Sequence, residues 1–207
     1  MWYKVDSMTE IERALLDIAE VRERMGAAQK FKGYSGIAAI ASGAFAVVAG
    51  IVQALLVPDG AANGSRYFAI WIVCCAASAI ANYGAIAHWF VSDVSARDRW
   101  QTRTVGLAIL PSVVLGGALS FALFDGGHLA LLPGVWCGCY GAGLFASRTM
   151  IPRGAVPVAA LFLLAGIALL FAPPAFALQW FVPAIAFGAG QTAIGVFVLR
   201  ERKERSA

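Results

Sequence analysis

The chain has 207 residues, of which 60% are hydrophobic and 14% charged, and its mean hydropathy is +0.74. Soluble domains carry about a quarter of their residues as Asp, Glu, Lys or Arg, so this balance excludes a water-soluble core and indicates a polytopic membrane protein. The formal net charge of +4 comes from residues gathered in the first thirty-odd positions, the short connectors and the end of the chain.

Residues 1–33 are the charged head. Ser7-Met8-Thr9-Glu10 has the spacing of a capping box, and Ile11, Ala14, Ile18, Val21, Met25 and Ala28 then recur at steps of three and four. This pattern predicts an amphipathic helix with a narrow apolar seam. Six acids balance six bases around it, with Arg13–Asp17 and Glu20–Arg24 at helical spacing. A helix drawn to anionic lipid would be rich in Lys and Arg on its polar face. Packing against the bundle of its own chain is therefore expected, the alternative being a protein partner or a second copy of the chain.

Six uncharged apolar runs follow, at 34–57, 67–91, 104–124, 129–147, 154–172 and 178–199. Each has the length of a membrane-spanning helix. The connectors between them are too short to hold a folded domain, and residues 200–207 form a basic tail. Fifteen of the sixteen Lys and Arg fall in the head, the second and fourth connectors and the tail, and only Arg66 falls in the remaining connectors. By the positive-inside rule both termini are expected in the cytoplasm, with the first run retained as a signal anchor. Once these charges are placed no basic stripe remains, so no nucleic-acid partner is expected.

The runs hold no Asp, Glu, Lys or Arg, and thus no buried carboxylate for proton coupling. Paired carboxylates, Gly-x-Ser-x-Gly, His-Glu-x-x-His and a phosphate loop are all missing from the sequence. No enzymatic chemistry, metal or cofactor is expected. The histidines, His88 and His128, fall near opposite membrane faces. His88 continues a stripe of Ala77, Ala81 and Gly84, which predicts a close helix contact ending in a hydrogen-bonded imidazole; a protonation switch at His88 is the alternative. Cys74-Cys75 and Cys137-x-Cys139 lie within the runs at similar depth and lack zinc-finger spacing. They read as small apolar residues, with a soft-metal site as the rarer use.

Counted from the inner end of each run, Ser42, Asn82, Ser112, Tyr140 and Gln191 fall seven to nine residues deep. They form one polar layer on five of the six helices, about 12 Å from the inner ends. Two arrangements account for it: hydrogen bonds between helices, which is the commoner use of Ser and Asn in spans, or the lining of a pocket or pore constriction. Small residues at four-residue spacing, Ala39/Gly43, Ala46/Gly50, Gly134/Gly138 and Ala184/Gly188, predict closely packed helix faces. Pro111-x₄-Gly116 in the third run and Pro183-x₄-Gly188 in the sixth raise an inverted repeat with interrupted helices.

The expectation is thus an all-α membrane protein, six transmembrane helices preceded by a cytoplasmic amphipathic helix, in a bacterial inner membrane. Its role is that of a scaffold, accessory or sensor subunit working through the 1–33 helix, or of a small-solute facilitator or channel using the polar layer.

Overall fold

The computed structural model describes Leu15, Asp17 and Ile18, residues 35–91 and residues 96–206. Met1–Lys30 and Phe31–Ala207 are two compact units. In the first, Leu15, Asp17 and Ile18 are helical, while the capping box and the rest of the seam lie outside the described residues.

The second unit is helical wherever regular structure is described. It comprises α1 (Gly36–Leu56), α2 (Gly64–Val91), α3 (Ala96–Asp125), α4 (Leu132–Ala146, entered through a 3₁₀ turn at Leu129–Leu131), α5 (Ala155–Leu170), the single turn α6 (Pro174–Ala177) and α7 (Phe181–Ser206). Local chemistry sets the ends. Ser35 caps α1 by accepting the Ala38 N–H at 3.2 Å, and Pro58 follows its last turn. Asp59 Oδ1 then accepts from the Ala61 and Ala62 N–H groups, folding the connector back into α2. At the end of α3, Gly127 takes φ +74° while the His128 N–H reaches back to Leu123 O at 2.7 Å and the Gly127 N–H to Phe124 O. This is a Schellman ending, in which the left-handed residue is a glycine at little cost.

Among the described residues five helical stretches are long and apolar enough to cross a membrane: Gly36–Leu56, Gly64–His88, Gly106–Asp125, Leu129–Ala146 and Phe181–Glu204. The chain is an all-helical, multi-pass membrane protein, with large apolar side chains such as Ile80, Leu107, Leu161 and Ile185 exposed on its outside. The fifth apolar run differs from expectation. Its helix, α5, has 16 residues, about 24 Å against roughly 30 Å of hydrocarbon, because it starts after Gly154 and stops before Pro173-Pro174. Two boundaries also move. Helix α3 begins eight residues before the third run, taking in Arg97, Arg99 and Arg103, and α7 continues through Ser206, so the basic tail is its last turns.

Neighbours in sequence adjoin, α2 and α3 only loosely, and α7 closes on α1, giving an up-and-down ring in the order α1, α2, α3, α4, α5, α7. Glycine makes the two tightest seams. Between antiparallel α1 and α7, a Cβ at Gly36 would lie 2.7 Å from Gly195 O, one at Gly43 2.8 Å from Gly188 O, and one at Gly50 2.6 Å from the Ala184 Cβ. Between α4 and α5, a Cβ at Gly141 would lie 2.7 Å from Leu163 N, and one at Gly166 2.5 Å from Gly138 N. The small-residue faces of the sequence are thus contacts within one chain. In the Ala77–Ala81–Gly84 stripe the two alanines are half-buried, but Gly84 is exposed and a Cβ there would meet nothing within 4 Å. Pro111 sits inside a continuous α3 and Pro183 in the first turn of α7, so the two prolines do not mark corresponding interruptions.

The seams set an expected outcome. Gly43→Leu places a side chain against the backbone of α7 and should abolish monodisperse protein on size exclusion in mild detergent. Gly84→Leu, in open space, should leave the elution profile and melting temperature unchanged.

Candidate functional site

The ring encloses a cavity of about 420 Å³ between α1, α2, α3, α4 and α7, within the roughly 300–1,000 Å³ of small-molecule sites. Four members of the polar layer line it: Ser42 from α1, Asn82 from α2, Tyr140 from α4 and Gln191 from α7. Ser112 does not. It shares their depth but turns to the α3–α4 seam, where its Cβ would lie 3.3 Å from a Cβ on Gly143. His88, at the exposed end of α2, is also outside the lining.

The four polar side chains are used differently. Asn82 Nδ2 donates to Ser42 Oγ at 2.7 Å and to Ser78 O at 2.8 Å, while Ser42 Oγ donates to Ala38 O at 2.9 Å. This chain ties α1 to α2, and such a bond contributes about 0.6–2 kcal/mol between membrane helices. Both Asn82 donors are consumed, so its amide oxygen is what it has left to offer. Gln191 is 8% exposed, and its Oε1 has no hydrogen-bond partner. A half-turn of the amide exchanges oxygen and nitrogen, but either way Gln191, which lines the cavity, keeps one buried amide atom without a partner. The Tyr140 ring packs edge-on to Phe162 with centroids 4.9 Å apart and tilts against Phe187 at 5.8 Å.

Trp71 and Trp136, both buried, form the wall toward the α1 C-terminus, with ring centroids 6.2 Å apart. Tyr67 stacks on Trp136 one helical turn before Trp71. Each indole is pinned by a buried polar residue. Trp71 Nε1 donates to Gln53 Oε1 at 2.8 Å, and Gln53 Nε2 donates to Leu178 O at 2.8 Å. Trp136 Nε1 donates to Ser120 Oγ at 2.8 Å, and Ser120 Oγ to Gly116 O at 2.6 Å. This aromatic wall was not anticipated from sequence. Its one signal is Gln53, an amide inside an otherwise apolar run near the outer end, on a level that the inner-end count does not reach.

The cysteines divide between environments. Cys74 and Cys75 line the cavity, whereas Cys137 is fully buried in the α4–α5–α7 core and Cys139 packs against Gly116. Among the described residues no group of three or more His, Cys, Asp or Glu could hold a metal ion. The lining holds no Asp, Glu, Lys, Arg or His. The site can therefore offer hydrogen bonds and apolar contact to an uncharged molecule.

The pinned indoles predict contrasting mutants. Gln53→Leu leaves Trp71 Nε1 and Leu178 O unpaired and should cost about 1–3 kcal/mol, read as a lower melting temperature in detergent. Tyr67→Phe removes a buried hydroxyl that has no partner and should be neutral or stabilising in the same assay. Comparison with known protein families, curated proteins and solved structures finds no match to this chain, so the geometry of the cavity carries the functional reading.

Proposed function

We propose that the protein is a facilitator that holds an uncharged molecule in the cavity of the ring and performs no covalent chemistry on it. The observation that carries this reading is Gln191. An amide that only held helices together would be paired with a neighbouring helix, as Asn82 is with Ser42. Gln191 lines the cavity without such a bond, its buried Oε1 unpaired at a cost in stability, so the amide is free to turn toward a ligand that supplies the missing bond. This favours the pocket over hydrogen-bonded glue for that member of the layer. The aromatic wall of Trp71, Trp136 and Tyr67 shuts the cavity toward the α1 C-terminus, which favours a binding cavity over a pore open from end to end. The scaffold or sensor reading, with residues 1–33 engaging a partner or a second copy, draws on residues outside those described.

We further propose six crossings with both termini in the cytoplasm, in a bacterial inner membrane. Support comes from the alternation of helix directions, which carries α5 alongside α4, and from Gly36 lying against Gly195 and Leu199 at one end of the ring. In the sequence fifteen of the sixteen basic residues fall in the head, the second and fourth connectors and the tail, the segments that the positive-inside rule assigns to the cytoplasm. A C-terminal reporter that folds only in the cytoplasm should be active in intact cells. Activity of a periplasm-dependent reporter at the same position would overturn this topology.

Native mass spectrometry of the full chain released from its membrane tests the binding reading. Wild type should retain a stoichiometric uncharged mass, and Gln191→Leu should lose it with an unchanged melting temperature. Weakening by about tenfold is the expected effect of losing one ordinary hydrogen bond. A clean apo mass for wild type, or a Gln191→Leu protein that unfolds, would sink the reading.

A further inference from the structure

The cavity has a side entrance. Along α2, Cys75, Ala79 and Tyr83 follow at four-residue spacing, line the cavity and are nevertheless exposed. Across from them Gly106 and Val113 of α3, two turns apart, also line it and are exposed. Tyr83 is 51% and Val113 44% exposed, and a Cβ on Gly106 would meet nothing within 4 Å. Two facing stripes that both bound a cavity and reach the outside are the rims of a window. α2 and α3 are tied near one end by Phe68, stacked on Phe124 at 4.4 Å and edge-on to Phe121 at 5.5 Å. The gap lies away from this tie, along a stretch that also bears exposed Ile80, Leu110 and Val114.

We infer that the ligand is an uncharged amphiphile dissolved in the bilayer, which enters sideways between α2 and α3. This rests on the cavity being a binding site and names what it binds. The window faces the apolar belt, so a molecule already in lipid reaches it without crossing water. The lining holds no Lys, Arg, His, Asp or Glu, so a phosphate, carboxylate or ammonium group would sit unpaired at membrane depth, which is costly. Asn82, with both donors spent, has an amide oxygen to offer and Gln191 offers either end of its amide, so the polar end is a hydroxyl or an amide, which can donate to the one and bond the other. The apolar body lies against Trp71, Trp136 and Phe187. A solute arriving from water on the Trp71 side would have to displace the stacked aromatic wall.

The test uses the full chain in nanodiscs of zwitterionic lipid and a monoacylglycerol bearing a diazirine and an alkyne on its acyl chain. On irradiation, crosslinks should map to residues 75–86 and 187–191 and be competed by unlabelled monoacylglycerol. They should fall several-fold in Gly106→Trp, which fills the window, and in Gln191→Leu. Gly117→Trp is the matched control: Gly117 is exposed on the same helix, has open space around it and does not line the cavity. Equal monodispersity of the three variants shows that the fold is kept. Loss in Gln191→Leu with no difference between Gly106→Trp and Gly117→Trp would overturn the lateral route and leave the cavity as a site. Uncompeted labelling spread over the outer belt, unchanged in every variant, would overturn the binding reading as well. Equal labelling by a phosphatidic acid probe of the same chain would overturn the uncharged head group.

Discussion

The close approach of α1 and α7 is the constraint on which the rest of the bundle depends. In lipid there is no hydrophobic drive to press one apolar helix on another, so contact must come from packing and from satisfied polar groups. Gly36, Gly43 and Gly50 on one side, with Gly188 and Gly195 on the other, let two backbones meet along four turns. That seam joins the first helix of the ring to the last and converts an open row into a closed circle. Once the circle is closed, the side chains of α1, α2, α3, α4 and α7 face a shared interior. The α4–α5 seam, built the same way, holds the opposite arc.

Within that interior, polar groups divide by whether the protein satisfies them. Gln53 is fully met by an indole and a distant carbonyl, and Ser120 by an indole and its own helix. These bonds hold the aromatic wall in one arrangement. Asn82 is half spent on Ser42 and Ser78, and Gln191 is left with an unpaired oxygen. An unsatisfied polar group inside a membrane has no water to turn to. Two such groups are buried here, the Tyr67 hydroxyl behind the aromatic wall and the Gln191 amide oxygen, and of these residues only Gln191 lines the cavity.

Much of this was legible in the sequence, for a definite reason. Composition and uninterrupted apolar runs declare the all-helical membrane class, and a fixed rise of 1.5 Å per residue converts position in a run into depth. Depth alone brought Ser42, Asn82, Tyr140 and Gln191 to one level. Azimuth is harder, because a helix apolar on every side has no polar face to reveal which way it turns. Ser112 therefore shared the level but faces the next helix, and the Ala77–Ala81–Gly84 stripe that looked like a contact is open at Gly84. The partner of Gln53 is a carbonyl 125 residues away, for which no local pattern exists. The length of α5 depended on where two prolines and a glycine stop the helix, which an apolar run of 19 residues conceals.

That short helix also shapes the membrane around it. In the ring α5 stands opposite α2, so the protein's hydrophobic height is uneven, about 6 Å less on one flank if α5 crosses. Lipids next to α5 must compress their chains, or the whole bundle must lean, at a cost of fractions of a kcal/mol per Å of mismatch. A crossing α5 would thus match a thin patch of bilayer on its own flank and leave a normal one opposite, and membrane thickness would become a variable that acts on how the bundle stands.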